Sequence, residues 1–178
     1  MRLIESSVEI LPQESGIEGI YKQIEKAARV CYKSEDFIKE GSAEKMVNAL
    51  IKRGHGSPLE HGTVYLKIPY SEDPYFGDIY TRYYFDKYSE IYHEFKKELF
   101  VVTNMRVIQE KNWFNDLNYL CEPTEFHKKR ISVRIICSRG VSHEAVRHRT
   151  MSFCQTSQRY VNYTLDKFGN EITFIIPE

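Results

Sequence analysis

Between Gly140 and Asn162 the chain gathers Arg147, His148, Arg149 and Arg159, with Ser152, Gln155, Thr156, Ser157 and Gln158 among them. An arginine side chain is a planar fork of donors that matches phosphate, carboxylate or a pyrimidine edge, whereas lysine offers a point charge. Arginines interleaved with hydroxyls and amides point to a recognition site for an organic anion. Glu144 lies three residues before Arg147 and four before His148, so on a helix all three share a face. Two readings follow: an ordinary intrahelical ion pair, or a carboxylate that orients Arg147 toward a ligand.

The same stretch offers residues for other chemistries. His143-Glu144 followed by His148 resembles a zinc-binding helix motif, but the histidines are five apart rather than four. On a regular helix that sets them about 140° apart, so no metal site is expected. Ser157 and Cys154 are candidate nucleophiles. Arginine neighbours lower a thiol pKa, yet Cys154 beside Phe153 also suits a small buried apolar position. No base and orienting acid stand near Ser157 at triad spacing. A second polar cluster, His55, Ser57, Glu60 and His61, lies in a turn-rich connector. It gains a ligand role only if folding turns it toward the arginine stretch.

The composition limits the alternatives. The 178 residues fit one domain, 42% hydrophobic and 28% charged. Lys plus Arg and Asp plus Glu are 25 each, which argues against a general binder of nucleic acid or anionic membrane. The four cysteines form no C-x-x-C pair. MRLIESSVEIL carries acidic residues and no long apolar core, and no apolar run approaches the ~20 residues of a membrane span, so a cytoplasmic protein is expected.

The positioning elements can be read from periodicity. A strand is expected over Arg2–Leu11, and a capping box at Ser15 and Glu18 opens a helix with Ile17, Ile20, Ile24, Ala27, Ala28 and Cys31 on one face. A second helix starts at Ser42 and ends at Gly54. Thr63–Ile68 alternates as a half-buried strand. Tyr80, Tyr84, Tyr88, Tyr92 and Phe95 suggest a helix with an aromatic stripe, followed by an extended piece at Val101–Thr103. Short helices are expected at Met105–Lys111 and Trp113–Leu120. Lys129–Cys137 alternates as a strand, Arg139-Gly140 turns the chain, Ser142 caps a helix to about Arg149, and Glu171–Ile176 is a last strand. The class is α/β or α+β: a mixed, largely antiparallel sheet flanked by helices.

Arg147-His148-Arg149, seven residues, then Ser157 resembles the R-H-R-x7-S signature of the flavin-dependent thymidylate synthases. HEAVRHR and SQRYVNY extend the likeness. GHGSPLEH (54–61) resembles the family's second motif, and AARVCY (27–32) its first helix end. The three motifs stand in the family's order, leaving 70–128 as an insertion-like region within one domain, 1–178.

This resemblance implies synthesis of dTMP from dUMP, with methylenetetrahydrofolate as carbon donor and NADPH as reductant through FAD. It implies a homotetramer with sites shared between subunits. Ser57, Arg147, His148, Arg149 and Gln155 would contact FAD, with His55 beside the flavin. Glu144, Arg147, Gln155, Thr156, Ser157, Gln158 and Arg159 would hold dUMP. Arg147, Ser157 and His55 would stand at the catalytic centre, Ser157 as a substrate hydrogen-bond donor.

Glu144 stands where the family commonly has Gln, and Cys154 where Asn or Ser is frequent. The family continues past a strand like ITFIIP into helices with further arginines, whereas this chain stops at Glu178. A C-terminally truncated member is therefore expected. The alternative is a homologue that binds nucleotide or flavin without turnover.

Overall fold

The apolar spacing after Ser15 folds as helix α1 (Gly16–Val30), which buries Ile20, Ile24 and Ala28. The computed structural model describes residues 2–72, 74–94, 97–157, 161–162, 165–166 and 172–176. The expected capping box is absent: the Ser15 hydroxyl makes no cap bond, and Glu18 pairs instead with Lys22 at 3.1 Å. Residues 15–18 are exposed, so water can serve the free N–H groups there.

Helix α2 (Ser42–Lys52) starts where expected and stops before Gly54, whose φ of 69° makes the left-handed turn that glycine accepts readily. The Ser42 hydroxyl reaches across to Glu25 Oε2 on α1 at 2.9 Å. Glu25 also holds Arg29 Nη2 at 2.6 Å. A buried carboxylate thus joins the two helices.

The helices pack on a three-stranded antiparallel sheet. Its middle strand β5 (Glu98–Asn104) pairs with β3 (Thr63–Pro69) on one side and β4 (Glu90–Glu94) on the other. The half-buried strand expected at Thr63–Ile68 is buried on both faces over Thr63–Leu66. Tyr65 is covered by the edge of the His127 ring, and its hydroxyl accepts the Arg130 N–H at 3.0 Å. The pattern marked the apolar face, and a distant segment closed the other.

The expected tyrosine helix is shorter than its stripe. Helix α3 (Pro74–Phe85) ends before Tyr88, and Tyr92 lies in β4. Asp86 breaks it by accepting from the Tyr88 N–H at 3.2 Å and the Ser89 hydroxyl at 2.6 Å, an Asx-type turn. Phe95 falls outside the described residues. Helix α4 (Met105–Lys111) is capped by Asn104, whose side chain accepts from the Val107 N–H at 3.1 Å. The helix expected at Trp113–Leu120 is a 3-10 stretch, Phe114–Tyr119. The 70–128 region therefore supplies the middle strand of the largest sheet.

The strand expected at Arg2–Leu11 divides into β1 (Arg2–Ile4) and β2 (Ser7–Leu11) because each half has a different partner. β2 runs antiparallel to β6 (Ser132–Ile136), and β1 runs parallel to β7 (Thr173–Ile175). Glu171, where the last strand was expected to start, lies outside the described residues. The class is mixed α+β with antiparallel pairing dominant, divided among three sheets in the described residues.

Candidate functional site

Helix α5 (Arg139–Ala145) begins earlier than its sequence implied. Ser138, two residues past the end of β6, is the N-cap and accepts from the Val141 N–H at 3.5 Å. Ser142, the expected cap, donates its hydroxyl to the Arg139 carbonyl at 3.0 Å, inside the first turn. The helix then stops at Ala145, so Arg147, His148 and Arg149 lie beyond it and are exposed. Glu144 Oε2 does hold Arg147 Nη1, at 2.9 Å, with both side chains largely in water. Such a pair is worth a few tenths of a kcal/mol. His148 has left the helix, so the angular argument about zinc no longer applies to it. His143 Nε2 accepts from Arg139 Nε at 3.3 Å, and among the described residues no three candidate ligands cluster.

After Arg149 the chain threads, without helix or strand over 152–157, between the end of α1 and a 3-10 stretch at Ser57–His61. Each contact is a defined bond. The Ser57 hydroxyl donates to the Phe153 carbonyl at 3.4 Å. The Ser152 hydroxyl donates to Glu60 Oε2. The Thr156 hydroxyl donates to the Val30 carbonyl at 3.0 Å, and the Ser157 N–H to the Cys31 carbonyl at 2.9 Å. Gln155 Nε2 donates to the Ser142 hydroxyl at 2.8 Å. The 54–61 loop therefore faces the arginine stretch, the condition its ligand role required. His55 is exposed, with its backbone N–H on the Leu50 carbonyl at 2.9 Å. Gln158 and Arg159 lie outside the described residues.

Two features escaped the sequence reading. Arg106, on α4, gives Nη1 to Glu60 Oε1 at 2.5 Å and Nε to Glu110 Oε1 at 2.7 Å. It lies over Gly56 so closely that a Cβ there would come within 2.8 Å of its Nε. In sequence, Arg106 and Glu110 look like an ordinary surface pair, and nothing local signals Glu60. The second is a thiol pair. Cys154 donates its S–H to Cys31, which lowers the Cys31 pKa to about 7, the Gln155 backbone adding to the effect. Cys154 itself is pushed up, by that bond first and burial second. The arginines nearby do not activate it.

Titration is shifted elsewhere by burial. Burial holds His61 below the ordinary histidine value of 6.5. Its Nε2 is buried without a hydrogen-bond partner among the described residues.

Residues 17–118 and 104–178 match a family described as thymidylate synthase complementing protein. The chain belongs to that family. A flavin-dependent thymidylate synthase of Pyrococcus furiosus is 52% identical over 42 residues, which is 24% of this chain and 16% of that relative. The match thus spans well under two thirds of the curated relative's length. No solved structure matches the chain. In this member of the thymidylate synthase complementing family, the end of α1, the 54–61 loop and the 147–157 stretch are joined by direct bonds.

Proposed function

We propose that this chain is a flavin-dependent thymidylate synthase that methylates dUMP to dTMP, with methylenetetrahydrofolate as carbon donor and NADPH as reductant through FAD. The observation carrying this reading is the double link of Ser57 to Phe153 and Glu60 to Ser152, which unites two motifs distant in sequence.

The donor set fits FAD. Guanidinium forks at Arg147 and Arg149, with the Ser57 hydroxyl, His148 and the Gln155 amide, suit pyrophosphate and the carbonyl edge of a flavin. FAD, when bound, supplies the hydride chemistry. In this reading His55 stands beside the flavin. Glu144, Arg147 and residues 155–159 hold dUMP, with Arg159 on its phosphate and Ser157 as a hydroxyl donor. Glu144 occupies one nitrogen of Arg147 and leaves other donors of that fork for the uracil carbonyls. A cation there stabilises the negative charge that develops as carbon 5 of the base becomes nucleophilic.

The reading includes a homotetramer with shared sites and a cytoplasmic location. Exposure of Arg147, His148 and Arg149 in one chain supports completion by a second copy, as do the exposed apolar faces of Val8, Ile10, Val133 and Ile135. Among the described residues no helix is long and apolar enough to cross a membrane.

The test is reconstitution. Protein loaded with FAD should show the flavin absorption bands and release tritium from labelled dUMP when NADPH and methylenetetrahydrofolate are supplied. Protein that stays colourless after loading sinks the cofactor assignment. Binding of FAD and dUMP without tritium release would point instead to a homologue that binds but does not turn over.

A further inference from the structure

Cys31 is the C-cap of α1. Segment 154–157 is held to that helix end by the Thr156 hydroxyl on the Val30 carbonyl at 3.0 Å and the Ser157 N–H on the Cys31 carbonyl at 2.9 Å. These bonds bring the 154–157 segment to the helix end that carries Cys31, where the Cys31 Sγ also meets the Ala27 carbonyl at 4.0 Å and the two thiols perturb one another. Both are only partly buried, so a small reagent has access. The other cysteines have different surroundings: Cys121 Sγ meets the Tyr65 carbonyl at 3.6 Å, and Cys137 follows β6.

We propose that Cys31 and Cys154 form a reversible dithiol–disulfide pair, a covalent latch between the end of α1 and the polar segment that follows Cys154. The asymmetry of the pair decides the order of events. Cys31 has the larger thiolate fraction near neutral pH and is the attacking sulfur. Its thiolate displaces one thiolate from a low-molecular-weight disulfide, forming a mixed disulfide on Cys31. Cys154 then loses its proton to the solvent, and its sulfur attacks Cys31 Sγ, expelling the second small thiol. Two protein thiols are oxidised by two electrons, and the small disulfide is reduced to two thiols. Dithiothreitol reverses both steps. Any consequence for nucleotide or flavin binding rests on the function proposed above, whereas the cross-link does not.

The test uses oxidised glutathione as the probe. Reduced protein is incubated with it, remaining thiols are blocked with iodoacetamide, and mass is measured before and after trypsin. The expected product has lost two hydrogens, carries two alkyl groups on its four cysteines, and joins peptide 30–33 to peptide 150–159. Dithiothreitol should release the peptides. Cys154→Ser should stop at a glutathione adduct on Cys31, and Cys31→Ser should give no cross-link. Oxidation should raise the melting temperature by several degrees, since the latch closes a long loop in the unfolded chain. Alkylation of all four thiols in the wild type would overturn the proposal. So would a cross-link through Cys121 or Cys137, or a lasting glutathione adduct on wild-type Cys31. If a serine variant does not fold, the wild-type peptide map alone decides.

Discussion

The Ser152 hydroxyl donates to the Glu60 carboxylate across a sequence separation of 92 residues. The other oxygen of Glu60 holds Arg106. One carboxylate therefore ties the connector after α2, the helix after β5 and the strand-free segment after Arg149 into a single body.

Glu60→Ala should loosen the 152–157 segment relative to the 54–61 loop. FAD affinity is expected to fall roughly tenfold, the equivalent of one charge-assisted hydrogen bond, read by flavin fluorescence titration. Ser152→Ala removes one arm and should cost less. Unchanged affinity in Glu60→Ala would remove its positioning role.

Gly56→Ala puts a methyl group against Arg106 Nε. Because the neighbour is the end of a flexible side chain, the cost should be modest, about 1 kcal/mol by urea unfolding, through the weakened bond to Glu60. In an Arg106→Ala background the same substitution should cost close to nothing. Equal costs in both backgrounds would show that Arg106 is not what restricts position 56.

Glu25 is 1% exposed and holds both Arg29 and Ser42. Glu25→Ala leaves Arg29 and the Ser42 hydroxyl without this partner, and removing one member of a buried ion pair costs about 3–5 kcal/mol. Thermal or denaturant unfolding should show a loss of that order. A loss below about 1 kcal/mol would mean that the α1–α2 contact is held by apolar packing alone.

Acid should destabilise the protein below about pH 6.5, before ordinary carboxylates titrate. His61 and His127 are both held below the ordinary histidine value by burial, and for His127 the Leu66 carbonyl opposes that shift. Geometry agrees for His127: its Nε2–H donates to Leu66 O at 3.0 Å, and Nδ1 accepts the Thr124 N–H at 3.0 Å, a bond that protonation would break. With folded pKa values below the unfolded ones, the unfolded chain binds more protons as pH falls, so this stability is full above 6.5 and lost below it. The melting temperature should drop between pH 7 and pH 5.5. A flat profile over that interval would contradict the prediction.

The sequence alone determined what repeats locally. The apolar faces of α1 and α2 could be read because burial on one face leaves a period of 3.6. The strands at Thr63–Ile68 and within Lys129–Cys137 could be read because successive side chains alternate with a period of 2, whichever faces are later covered. The order of the three motifs stands in the residues themselves. Local chemistry misled where competing groups were available. Ser138 rather than Ser142 caps α5, and Asp86 ends the tyrosine helix. Only the tertiary structure decided that β1 and β2 take different partners, that Tyr65 is covered by His127, that Arg106 reaches Glu60, and that Cys31 meets Cys154. Those relationships join residues far apart in the chain. A contact of that kind depends on how packed elements approach one another, and it leaves no period in the residues on either side.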